Sequence, residues 1–149
     1  MRYRMLAIDL DGTLLNGRGR VTETNAAAIA RAQQAGVLVV PCTGRGWIES
    51  KRILQVMPRS PMDQPGVFVT GACVTRLEDG QTFDLAMIEP HLAMQLVQAL
   101  YDLPEAVLVL RDFGLAGHDY LVTGTGTLTP NTQWWFEATG ATVHFQSDV

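Results

Sequence analysis

The apolar run Met5 to Ile8 breaks off in Asp9-Leu10-Asp11-Gly12-Thr13, and this junction limits the possible folds more than anything else in the chain. Apolar residues without polar alternation fit a strand covered on both faces, as in parallel sheets. Met5 to Leu10 is therefore expected to be a buried, central strand. Residues two apart on a strand lie on one side, which sets the Asp9 and Asp11 carboxylates together at the carboxyl end, where open α/β sheets place ligands. Two neighbouring acids can divide the work of phosphoryl transfer, one as nucleophile and the other moving protons. Gly12 permits the sharp reversal that follows. A metal-binding or merely solvated Asp-rich turn is the plain alternative.

The segments behind it repeat the pattern. Thr22 caps a predicted helix from Glu23 to Ala35, with Gly36 just past its end. Val37 to Val40 reads as a second strand, and Thr43-Gly44-Arg45 leads into a helix from Trp47 to Val56. After a Pro-rich connection from Pro58 to Pro65, Val67 to Thr70 reads as a third strand ended by Gly71-Ala72. This βαβα order predicts a parallel sheet. The alternation then stops, because Asp79-Gly80 between short apolar segments signals a hairpin. Pro90 opens a helix whose apolar positions include Leu92, Leu96, Ala99, Leu100 and Leu103. Strands at 106–110, 120–122 and 141–145, with a helix at 133–139, complete an α+β unit. The expected division is 1–80 and 81–149.

Thr43-Gly44-Arg45 sits where a strand meets a helix, a place whose backbone N–H groups favour an anion. There Thr43 offers a hydroxyl, Gly44 a close backbone approach and Arg45 a planar fork for phosphate oxygens. A Thr-capped turn explains the tripeptide equally well when it is taken alone, and the pair of acids tips the reading toward phosphate. Gly124-Thr125-Gly126-Thr127 lacks the lysine of a P-loop and reads as a turn. Gly17-Arg18-Gly19-Arg20 is either a basic flank or an exposed loop. His91, His118 and His144 show no metal-ligand spacing, and of Trp134 and Trp135 one is expected to pack inward.

A length of 149 residues with 47% hydrophobic content supports one core with a small appendage. The net charge of -4 argues against a nucleic-acid partner. The run after Arg2 and Arg4 is too short for a signal peptide or a spanning helix. Cys42 and Cys73 form no CxxC pair, which fits buried thiols in a reducing compartment. A cytoplasmic location with no membrane partner follows as an expectation.

Asp9-Leu10-Asp11-Gly12-Thr13-Leu14-Leu15 together with Thr43-Gly44-Arg45 resembles the haloacid dehalogenase superfamily, specifically its Cof-type phosphatases with a C2 cap. The resemblance implies a Rossmann-like α/β core, incomplete here, with a C2-type cap that selects a small phosphorylated metabolite. It makes Asp9 the nucleophile of a Mg²⁺-dependent phosphatase and Asp11 its acid/base. Thr43 then binds the transferring phosphoryl group, and Arg45 contacts phosphate. The metal would be held by the Asp9 carboxylate and the Asp11 main-chain carbonyl. Gly71-Ala72 matches the family's Asn-Gly-Ala, with Thr70 in the place of Asn. The family's later lysine and its Gly-Asp-x-x-x-Asp segment have no counterpart before Val149, and Lys51, the only lysine, does not match the family's. Two expectations follow: the chain is the front portion of a longer protein, or a second copy or complementing chain covers an open sheet edge. A catalytically silent phosphate-binding module is the rival reading.

Overall fold

The computed structural model describes residues 3–59 and 64–147, so Arg2, Val149 and the middle of the Pro-rich connection lie outside the described residues. It divides into two units, 1–86 and 87–149. The division falls later than the sequence boundary at 80 because the hairpin strand Thr82–Leu85 joins the first unit's sheet.

The first unit carries a five-stranded sheet in the order β1 (Met5–Asp9), β2 (Leu38–Cys42), β3 (Pro65–Phe68), β4 (Cys73–Arg76), β5 (Thr82–Leu85). Strands β1 to β3 are parallel, the β3–β4 pair is antiparallel, and the β4–β5 pair is antiparallel as the Asp79-Gly80 signal requires. Helix α1 (Glu23–Gln34) connects β1 to β2, and α2 (Trp47–Leu54) follows β2. The Thr22 hydroxyl accepts the Asn25 N–H at 3.2 Å, which satisfies one of the free donors of the first turn. Gly36 ends the segment with a φ of 78°, in the left-handed region that glycine enters without strain.

One expectation fails for β1. It is the outer strand among the described residues, with Met5 61% and Leu6 41% exposed. Unbroken apolarity reports what a strand is suited to contact, whereas here only β2 lies beside it. The core forms one residue further on, where Leu10, Leu14 and Leu15 pack with Ile29, Val39, Leu54, Met57, Phe68 and Cys73. Each such burial contributes roughly 1.5–3 kcal/mol. Leu10 is fully buried while Asp9 and Asp11 on either side are exposed, so this anchor fixes both acids toward solvent.

The second unit begins with α3 (Pro90–Leu100), its proline in the first turn where the missing N–H costs nothing. A three-stranded sheet runs β6 (Val107–Leu110), β7 (Tyr120–Thr123), β8 (Val143–Phe145), with β6–β7 antiparallel and β7–β8 parallel. Two helices, α4 (Phe113–Ala116) and α5 (Pro130–Thr139), separate these strands. Buried Asp119 accepts the Thr142 N–H at 2.8 Å and its hydroxyl at 2.7 Å, so its carboxylate is paired rather than orphaned. On α3 Val97 is buried and Leu92, Leu96 and Leu100 are exposed, while Leu103, expected in this helix, lies past its end and is exposed as well. No helix among the described residues is long and apolar enough to cross a membrane.

Candidate active site

The parallel pairing sets Asp9 opposite Cys42 and Cys42 opposite Val67. The carboxyl ends of three adjacent strands therefore carry, in order, the Asp9–Thr13 turn, Thr43-Gly44-Arg45, and Val69-Thr70-Gly71. Beyond β1 a wide turn, Leu10–Leu14, is closed by the Leu15 N–H donating to the Leu10 carbonyl at 2.9 Å. Gly12 takes a φ of 76° within it, the reversal expected from the sequence.

The second loop is tied down from both sides. The Thr43 N–H donates to the Val67 carbonyl at 2.9 Å, and the Thr43 and Arg45 carbonyls accept from Thr70 and Val69 at 3.2 and 3.0 Å. The buried Thr43 hydroxyl accepts the Arg45 N–H at 3.2 Å, which leaves its own proton available for an anion. The start of α2 is different from the expectation, because the Gly46 N–H donates to the buried Glu49 carboxylate at 2.6 Å. Glu49 thus already occupies that part of the helix end.

Arg45 reaches across to the first turn. Its Nε donates to Asp11 Oδ2 and its Nη2 to Asp11 Oδ1, each at 2.7 Å. These hydrogen bonds hold the Asp11 carboxyl below the ordinary carboxylate range, against a smaller opposing effect of burial. The Asp9 carboxylate has no hydrogen bond among the described residues. Burial pushes the Cys42 thiol up, and the nearby Asp9 charge adds to this, so Cys42 is a neutral neighbour of the site. Lys51 lies on α2 with Nζ 4.9 Å from the centre of the Trp47 ring.

The other sequence candidates lie elsewhere in the two units. The segment 124–127 is a turn whose Gly126 packs directly on the Glu105 backbone, where a Cβ would lie 2.4 Å from the carbonyl carbon. Asn16 Oδ1 accepts the Arg18 and Arg20 N–H groups in the exposed 17–20 loop. The His118 and His144 rings stand 5.2 Å apart. No group of three or more His, Cys, Asp and Glu among the described residues is placed to hold a metal. Sequence reasoning missed the Asp11–Arg45 pair and the unusual backbone at Thr70. No local signal marks the first, since its partners lie 34 residues apart.

The acidic turn and the Thr43-Gly44-Arg45 loop thus stand at adjacent strand ends, the side of an α/β sheet where ligands bind. The sequence pattern of the haloacid dehalogenase-like hydrolases matches residues 6–134, and the chain belongs to that family. It is 49% identical over 51 residues to the 5-amino-6-(5-phospho-D-ribitylamino)uracil phosphatase of Bacillus subtilis, covering 34% of this chain and 18% of that one. It is 27% identical over 100 residues to the pyridoxal phosphate phosphatase of Escherichia coli, covering 67% of this chain and 36% of that one. The solved structure of a haloacid dehalogenase-like hydrolase from Bacteroides thetaiotaomicron superposes with a TM-score of 0.67 at 15% identity, covering 99% of this chain and 53% of that one. The chain thus spans about half of that structure and a smaller share of the curated relatives.

Proposed function

We propose that the protein of which this chain carries the nucleophilic part is a Mg²⁺-dependent phosphomonoesterase acting on a small cytosolic phosphate ester. The juxtaposition of Asp9, Asp11 and Thr43 at neighbouring strand ends is the observation that carries this reading. An Asp9 carboxylate oxygen attacks phosphorus, and the ester P–O bond breaks as Asp11 protonates the leaving oxygen. Asp11 then takes a proton from water, whose oxygen displaces Asp9 from phosphorus and releases inorganic phosphate. The Thr43 hydroxyl and the Gly44 N–H hold the phosphoryl oxygens.

Asp11 must hold a proton before it can give one, and the Arg45 fork favours its ionised form. A phosphate dianion competes for the same fork. Once Arg45 shifts to phosphate, Asp11 loses the group that keeps it ionised, so substrate arrival primes the acid.

The donor set fits Mg²⁺, which takes hard oxygen ligands and keeps several waters when only one or two carboxylates bind it. The Asp9 carboxylate and the Asp11 main-chain carbonyl would hold it. When bound, it would offset the negative charge shared by the nucleophile and the phosphate. The open edge at β1 supports pairing with a further strand, from a longer form of the chain or from another polypeptide.

Turnover of an aryl phosphate with Mg²⁺, comparing the protein with its Asp9→Asn variant, tests the proposal. Activity is expected to vanish in the variant. Activity that survives the substitution excludes Asp9 as nucleophile.

A further inference from the structure

The three residues after β3 have an uncommon conformation: Val69, Thr70 and Gly71 take φ values of 53°, 54° and 101°. Glycine enters the left-handed region freely, but a β-branched residue there is a genuine outlier because its Cβ crowds the backbone. Two in succession persist only where surrounding contacts dictate the conformation. Those contacts are present. The Val69 and Thr70 N–H groups donate to the Arg45 and Thr43 carbonyls, the residues on either side of Gly44. The Ala72 N–H closes the turn on the Val69 carbonyl at 3.0 Å. The strained turn is therefore clamped astride Gly44.

The result is a specific placement of one hydroxyl. Thr70 Oγ1 lies 3.4 Å from the point a Cβ on Gly44 would occupy, and Thr70 is exposed. That hydroxyl has no hydrogen-bond partner among the described residues. Gly44 leaves the space between it and the loop open. A chain reversal alone needs no threonine here, since Gly or Asn enters this region with far less strain.

We propose that Thr70 is a further substrate-contacting residue, its hydroxyl donating to an oxygen of the phosphate group held over Gly44. Thr43, Gly44 and Thr70 then form one cradle, supplied by the loops after β2 and β3. This assignment builds on the phosphate-site reading above.

The test measures binding of inorganic phosphate to the 149-residue chain with Mg²⁺ present, by calorimetry, beside circular dichroism and thermal unfolding. Thr70→Val keeps the shape and loses the hydroxyl, Thr70→Ser keeps the hydroxyl, and Thr70→Gly removes both the hydroxyl and the strain. A hydrogen bond to a charged group corresponds to a loss of about tenfold or more in affinity, expected for Thr70→Val and Thr70→Gly. Thr70→Ser should remain within about twofold of the parent on the same principle. Thr70→Gly should also unfold at a higher temperature while binding phosphate less well, a pairing that a merely structural threonine would not give. It keeps the question answerable if Thr70→Val does not fold. Parent-like affinity in Thr70→Val or Thr70→Gly overturns the role of Thr70 and leaves the phosphate site standing. No phosphate binding by the parent overturns both.

Discussion

Arg45 holds Asp11 through two parallel hydrogen bonds of 2.7 Å, joining the turn after β1 to the loop after β2. The arginine side chain is 17% exposed and the carboxylate 54%, so the fork is largely shielded while the acid faces water. A pair with one half-exposed partner adds little to stability.

Replacing Arg45 with Met should return the Asp11 pKa toward its ordinary value, read by carbon NMR of the Asp side chains. The sign for stability follows from the lowered pKa. The pair's contribution is fully present above the unfolded-state value of about 3.9 and is lost as pH falls through the lower folded-state value. The stability gap between the protein and Arg45→Met should thus shrink as the pH is lowered into the acid range. With the carboxylate half exposed, that gap is at most about 1 kcal/mol near pH 7, measurable by urea unfolding.

Aryl phosphate kinetics of Arg45→Met should show a raised KM, because a charged donor to phosphate is gone. A hydrogen bond to a charged group contributes roughly 1.5–3 kcal/mol, so the increase should be about tenfold or more. An unchanged KM would remove Arg45 from phosphate binding.

Much of this was legible in the sequence, for physical reasons that differ by position. The Thr22 cap, the Gly36 stop and the Asp79-Gly80 hairpin depend on neighbours in the chain, and each appears where the residues predict it. The exposure of Met5 and Leu6 depends on how many strands stand beside β1, which hydrophobic pattern cannot report. Val69 and Thr70 read as strand because β-branched residues favour strands, yet hydrogen bonds to the preceding loop force them into a turn. The Asp11–Arg45 pair and the capture of the Gly46 N–H by Glu49 are likewise settled by tertiary placement and by side-chain geometry.

Two glycines of the second unit should respond differently to alanine. Gly117 has a φ of 73° with nothing within 4 Å of an added Cβ, so Gly117→Ala should cost about 1–2 kcal/mol for backbone conformation alone. At Gly126 the added carbon would meet Glu105 and Leu103 backbone atoms at 2.4 to 2.5 Å, forcing the two segments apart. Gly126→Ala should be the more damaging, by up to about 3 kcal/mol, in thermal unfolding followed by tryptophan fluorescence.

The outer strand β1 should make the chain associate, with itself or with another polypeptide, because its backbone groups and exposed Met5 and Leu6 form a pairing edge. Sedimentation should show association that Leu6→Lys weakens, since an edge charge opposes strand addition. A well-folded soluble monomer with no other polypeptide present would contradict this.

The most direct test of the central claim is fluorine NMR of the protein with Mg²⁺ and fluoroberyllate, which mimics a phosphoryl group on a carboxylate. The protein should give a bound signal that Asp9→Asn abolishes. The same bound signal in Asp9→Asn would contradict the assignment of Asp9 as the residue that accepts phosphorus.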